Sequence, residues 1–141
     1  MKNNIYLFLM ILLAACGTKS PSDAFIVSDS KLERLTRQAD SGDLAAVKCL
    51  IAHYDATSGN EEASEKWRAK ARLLGDADEL YYYSARLSAE ARRSNDSKER
   101  RAMLLESLKA ARHSYAIRPN ESAKKLIDEA SQSLDYLERA D

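Results

Sequence analysis

The sequence predicts an all-α fold, a short α-solenoid of about six antiparallel helices. Three observations favour it. Helix-forming residue types dominate a composition that has only 4 Gly and 2 Pro. Apolar residues recur at intervals of three and four along most of the chain. A Gly-Asp pair at Gly42 returns at Gly75, one helical hairpin later, and such repetition is typical of stacked helical repeats.

The charge balance excludes one class of partner. The 141 residues include 22 basic and 22 acidic ones, so the formal net charge is zero. A chain without a strong positive field is not expected to be drawn as a whole to nucleic acid or to an anionic surface. The length allows one small domain after a leader.

The N-terminal stretch reads as a leader followed by a tether. Residues 5–15 form an unbroken apolar run that would span only about 16 Å as a helix, too short for a bilayer core of about 30 Å. It therefore predicts a signal peptide over residues 1–15. Residues 16–29 lack helical periodicity and predict a flexible tether. Within it, residues 25–27 could pack on the first helix or lie free.

The end of the leader resembles a known processing signal. Leu13-Ala14-Ala15-Cys16 resembles the lipobox of bacterial lipoproteins. The resemblance implies that Cys16 is lipidated and becomes the mature N-terminus. Gly17, in a place where Asp tends to retain lipoproteins in the inner membrane, implies the outer membrane, facing the periplasm. An ordinary secretory cleavage site is the alternative. Residues 30–141 would then form the helical domain.

The first two helices are marked by a cap and by apolar stripes. Ser30 and Glu33 have capping-box spacing, which predicts a helix from about Ser30 to Asp40. Ser41-Gly42 would break it. An amphipathic second helix follows, with the stripe Leu44, Val47, Leu50, Ile51 and Tyr54.

The third helix has a similar pattern. Ser58 and Glu61 again have capping-box spacing. The stripe that follows includes Trp67, and Gly75 is expected to end the helix because glycine tolerates a positive φ.

Three more helices complete the prediction. Asp76 and Glu79 can cap the fourth helix, which residues 94–97 interrupt. The fifth ends before Pro119, since proline disfavours continuation. Asn120 can cap the sixth, whose inner face is Ala123, Leu126, Ile127, Ala130, Leu134 and Leu137.

The segment from Gly42 to Gly75 resembles the Sel1-like repeat, a relative of the tetratricopeptide repeat. The matching residues are Gly42, Asp43, Ala46, Leu50, Tyr54, Trp67, Lys70, Ala71 and Gly75. Ile51 departs from a usual Gly and Arg72 from a usual Ala, and the next unit matches only in part. We expect Leu50, Tyr54 and Trp67 to fill the space between hairpins.

Few residues suggest chemistry. Cys49 is a single thiol in a helical segment, which predicts a small buried residue. His53 and His113 lie in different helices without metal-ligand spacing, which favours structural or surface roles. We predict no catalytic residues, metal or cofactor, and therefore not an enzyme.

A partner-binding face is predicted on the fourth helix. Tyr81, Tyr82 and Tyr83 are adjacent, so they cannot all face one core. Tyr82 points away from the buried stripe, and Arg86 lies one turn later on the same face. Tyrosine and arginine are enriched at binding hot spots, and His53 is a third candidate. A chance exposed or locally packed Tyr82 is the alternative.

Basic residues cluster where the fourth helix gives way to the fifth. Arg92-Arg93 and residues 98–101 (KERR) could face phosphate or lipid headgroups, or form a solvated helix end.

These features predict a lipid-anchored, non-enzymatic protein-binding module at the periplasmic face of the bacterial envelope. Small lipoproteins with similar repeats include immunity proteins, which implies a toxin acting in the periplasm as a partner. The alternative is a scaffold for an envelope or secretion complex. The sequence leaves the partner's identity and the oligomeric state open.

Overall fold

The computed structural model describes residues 24–140. The predicted signal peptide and Cys16 lie outside these residues. Within them the chain forms six α-helices and no strand, which confirms the all-α solenoid-like fold. The helices are α1 (Asp29–Asp40), α2 (Leu44–Asp55), α3 (Glu61–Leu73), α4 (Ala77–Arg93), α5 (Ser97–Ile117) and α6 (Glu121–Ala140). No helix in this part of the chain is long and apolar enough to cross a membrane.

The first three helices enclose one apolar cluster. Trp67 of α3 is 4% exposed, Leu50 of α2 is fully buried, and Tyr54 packs on the cluster partly buried, as the sequence predicted. The cluster comprises Leu35, Ala39, Ala46, Val47, Leu50, Ile51, Trp67 and Ala71. Val27 also packs here, whereas Phe25 and Ile26 are exposed. The described segment before α1 therefore packs on this cluster through Val27.

Helices α4, α5 and α6 form a second group with its own apolar cluster. Consecutive helices pack as neighbours, and α4 also contacts α6. The cluster consists of Ala91, Leu104, Leu134 and Leu137. The long helices α4 and α5 meet along small buried side chains, including Ser84, Ser107 and Ala111. Small residues let two helices approach closely.

Buried serines connect α4 to α5. Ser107 Oγ donates to the carbonyl oxygen of Ser84 at 2.9 Å. It also lies 2.9 Å from Ser84 Oγ and 2.8 Å from Ser88 Oγ. A hydroxyl has one proton and two lone pairs, so Ser84 and Ser88 both donate to Ser107. Farther along, Ser114 Oγ donates to the carbonyl of Ala77 at 2.7 Å.

Two predicted caps are confirmed. Asp76 Oδ1 accepts from the N–H of Glu79 at 2.8 Å, and Asn120 Oδ1 accepts from the N–H of Ala123 at 2.9 Å. Gly75 has φ of +81° just after α3 and so ends that helix as predicted.

Two other predicted caps are wrong. Helix α1 begins at Asp29, so Ser30 already lies inside its first turn. Helix α3 begins at Glu61 after the N-cap Asn60, and Gly59 at φ +81° separates Ser58 from the helix. A capping serine must stand directly before the first helical residue, and neither serine does.

Replacing Ser107 with Ala should lower the free energy of unfolding by about 1–3 kcal/mol, because two buried hydroxyl groups lose their acceptor. Urea unfolding followed by circular dichroism measures this. Replacing Ser84, Ser88 and Ser107 together with Ala removes donors and acceptor alike, so the triple variant should be no less stable than the single one. A triple variant that loses the sum of three separate penalties would contradict this account.

Candidate functional site

An open groove lies between α3 and α5. Both helices flank α4 without packing against each other. The cavity between them is about 420 Å³, within the range of known binding clefts. Leu80 and Tyr83 of α4 lie at its base. Its walls are Ala69, Arg72 and Leu73 from α3, and Glu106, Lys109, Ala110 and His113 from α5. We call this the α3–α5 groove.

The rim of the groove is apolar at one end. Leu73 is 86% exposed, and Ile117 at the end of α5 is 45% exposed. The turn at Gly75 brings α3 close to the end of α5, since a Cβ at Gly75 would lie 3.6 Å from Ile117 Cδ1. Two large aliphatic side chains, those of Leu73 and Ile117, thus lie exposed near the Gly75 turn.

Charged side chains hold the α3 wall against α4. Glu65 accepts from Arg72 at 2.9 Å and from Arg86 at 3.1 and 3.2 Å. The Arg72 guanidinium also lies over the Tyr83 ring, 4.2 Å from its centroid. This cation–π contact places Tyr83 at the base of the groove.

Glu65 titrates differently from a free glutamate. Burial raises its pKa, but hydrogen bonds from Arg86 and Arg72 and attraction to both guanidinium groups outweigh burial, so the pKa of Glu65 is lowered. The hydrogen bond with Glu65 in turn raises the pKa of Arg86. Both shifts favour the charged forms.

A second charged bridge runs beside the first. Arg68 donates to Asp55 at the end of α2 and to Glu79 of α4, the latter at 2.7 Å. Asp55 also accepts from Ser64 Oγ. Arg68 therefore connects the first group of helices to the second through a single side chain.

The predicted face on α4 is only partly present. Tyr82 is 61% exposed, and its ring meets Tyr81 edge-on with centroids 5.3 Å apart. Arg86 does not join Tyr82. Its guanidinium is bound to Glu65 and lies 5.6 Å from the Tyr83 ring centroid. A carboxylate on the neighbouring helix attracts the long side chain away. Binding of a partner by Tyr82 and Arg86 stays a prediction.

His53 lies buried near the end of α2. Its side chain is 8% exposed, and Nδ1 accepts from the N–H of Val27 at 3.3 Å. His53 therefore fits the predicted structural role, and its contact with a partner stays a prediction. His53 lies in the last turn of helix α2, where its ring accepts the hydrogen bond from Val27.

The prediction that Cys49 is buried is wrong. Cys49 is exposed, since the buried positions of α2 are Ala46, Val47, Leu50, Ile51 and His53. At about 100° per residue, position 49 falls outside that face.

Sequence reasoning missed the groove. His113, treated as an isolated histidine, lines it. The sequence did contain one indication of an exposed apolar site: Leu73 lies off the buried stripe defined by Trp67 and Ala71. Within residues 24–140, no group of His, Cys, Asp and Glu is arranged to hold a metal.

Comparisons with known proteins add no assignment. No family model, curated protein or solved structure matches this chain. The resemblances to the lipobox and to the Sel1-like repeat stay predictions.

The lowered pKa of Glu65 makes stability depend on pH. Its contribution is complete above the pKa of an unfolded glutamate, about 4.3, and is lost as the pH falls through the lower folded pKa. Glu65→Gln should therefore flatten the fall in stability in acid, as measured by urea unfolding at a series of pH values. Glu33→Gln is the matched control, because Glu33 is 79% exposed and 3.7 Å from Arg37. Equal acid sensitivity of the Glu65→Gln variant and the original chain would contradict the argument.

Proposed function

We propose that this chain is a lipid-anchored, non-enzymatic module that binds another protein at the periplasmic face of a bacterial envelope. The observation that carries the binding role is the α3–α5 groove with Leu73 at its rim. A leucine that is 86% exposed beside a concave apolar base marks an interaction site better than scattered surface residues do.

The groove suits a protein segment with an apolar side chain. Leu80, which is 6% exposed, and Ala110, which is 4% exposed, offer apolar surface at the base and one wall. Neighbouring helices lie about 8–10 Å apart, so α3 and α5, on either side of α4, leave room for a helix or a loop. Helix-in-groove binding uses apolar anchors of this kind.

The polar groups of the groove are partly neutralised by neighbours. Arg72 is bound to Glu65, and Lys109 lies 3.7 Å from Glu106. Paired groups of this type favour orientation and specificity in binding. His113 remains available for a polar contact from the α5 wall.

Anchoring rests on the resemblance at Cys16. Ala24 stands eight positions after Cys16, and a fully extended chain over eight positions reaches about 28 Å. A lipid on Cys16 would therefore keep the helical domain close to the membrane. Two or more acyl chains suffice for durable anchoring.

Two partner classes follow from this location. The first is a toxin delivered to the periplasm, which the chain would neutralise as an immunity protein. The second is a component of an envelope or secretion complex, for which the chain would be a scaffold. A deletion strain distinguishes them: a scaffold leaves an envelope defect in pure culture, whereas an immunity protein matters only when the toxin arrives.

Leu73→Ser should weaken partner binding about tenfold or more, the effect of losing an apolar anchor worth over about 1.4 kcal/mol. The measurement compares the affinity of the crosslinked and identified partner for the original chain and each variant. Leu105→Ser is the matched control, because Leu105 is a 50% exposed leucine of α5 outside the groove.

The same measurement tests the predicted α4 face. If Tyr82→Ala together with Arg86→Ala reduces affinity while Leu73→Ser does not, the partner binds α4 and the groove proposal fails. Unchanged affinity in all three variants would contradict both faces.

A further inference from the structure

The turn between α4 and α5 is rich in cations. Residues 92–101, which we call the basic turn, contain Arg92, Arg93, Lys98, Arg100 and Arg101. Residues 90–101 contain these five cations and three carboxylates, those of Glu90, Asp96 and Glu99. The net charge of this segment is therefore 5 − 3 = +2. The chain as a whole is neutral, so this segment carries a local excess of positive charge.

The cations divide into two sets. Arg100 donates to the carbonyl oxygen of Ser94 at 2.6 Å, and Arg101 pairs with Glu138 at 2.9 Å. Arg92, Arg93 and Lys98 are exposed and form no ion pair with any described residue. These three charges are available for an external anion.

The carboxylates beside them are engaged locally. Asp96 Oδ1 accepts from the N–H groups of Lys98 and Glu99 at 2.8 and 2.9 Å, which caps α5. Glu99 Oε2 accepts from Ser94 Oγ at 2.6 Å. The acidic groups thus shape the turn without covering the three free cations.

The basic turn lies at the end of the molecule where the chain enters α1. Because consecutive helices are antiparallel, the start of α1 and the turns after α2 and α4 share one end. Val27, bound to His53 near the end of α2, marks this end. Leu73 and the Gly75 turn lie at the opposite end.

The basic turn also extends beyond the start of α3. Helix α4 has 17 residues and α3 has 13. At about 1.5 Å per residue the difference is about 6 Å, and the two helices are joined by a tight turn at the other end. Arg92 and Arg93 therefore extend about one helical turn beyond the start of α3.

A cavity with one tyrosine in its lining adjoins the turn. It is about 740 Å³ and lies between α4, α5 and α6, and its charged lining residues are Arg92, Arg100 and Glu129. Tyr136, 72% exposed, lines it above buried Leu104 and Leu137. A tyrosine with an apolar body and a polar tip is suited to a membrane interface.

We propose that the basic turn binds the headgroups of anionic phospholipids and orients the anchored domain on the membrane. The inference rests on the proposed anchoring, since a tether of about 28 Å would hold this end beside the bilayer. Basic residues next to a membrane attachment are attracted to anionic headgroups within a Debye length. The α3–α5 groove would then face away from the lipid, toward partners.

Vesicle flotation of the purified full chain tests the proposal. The probes are vesicles of phosphatidylcholine alone and with about one third phosphatidylglycerol, at about 0.1 M salt. We expect preferential binding to the anionic vesicles. Replacing Arg92, Arg93 and Lys98 with Gln should reduce that binding about tenfold or more and leave binding to phosphatidylcholine unchanged, so any contribution of the apolar leader cancels.

A matched variant controls for total charge. Arg112, Lys124 and Lys125 are exposed cations toward the opposite end, and their replacement with Gln removes the same charge. This variant should keep its preference for anionic vesicles, and circular dichroism should show both variants folded. Equal loss in both variants, or no preference in the original chain, would overturn the proposal. Failure of Cys16 to incorporate a labelled acyl chain in cells would overturn the anchoring instead, while vesicle binding would still report on the basic turn.

Discussion

Ion pairs across the α3–α4 junction, centred on Glu65 and Arg68, link the two groups of helices, and Lys48 of α2 adds a third link to Asp76 before α4. The two apolar clusters do not merge across the α3–α4 junction. Glu65 joins Arg72 of its own helix to Arg86 of α4, and Arg68 bridges Asp55 to Glu79. Ion pairs of partly exposed groups contribute little singly, but a network with shared partners contributes more. The geometry of the α3 wall follows from this network.

The second group of helices is held by a different kind of contact. Small side chains bring α4 and α5 together, and the hydroxyl groups of Ser84, Ser88 and Ser107 satisfy one another. Buried polar groups with complete partners favour one alignment of two helices over a slipped one. Leu80 and Ala110 are thereby fixed relative to each other. The base and the α5 wall of the groove are held by packing and hydrogen bonds, whereas the α3 wall is held by charged contacts.

The exposed apolar residues and the basic turn lie at opposite ends of the molecule. Leu73 and Ile117 lie exposed around the Gly75 turn, whereas Arg92 and Arg93 project at the end where the chain enters α1. A binding groove and a headgroup-facing turn would interfere if they shared one end. Their separation would allow the proposed lipid tether to present the groove away from the membrane, so the two proposals agree in one orientation.

The sequence alone determined the helices, the caps at Asp76 and Asn120, and the burial of Trp67, because periodicity and capping act within one helix and its nearest turn. Tertiary structure decided where Arg86 points, since Glu65 on another helix attracts its guanidinium. It also decided that His53 is buried and that α3 and α5 stand apart around Leu80. A groove is a gap between helices that are distant in the chain, and local patterns carry no information about that distance.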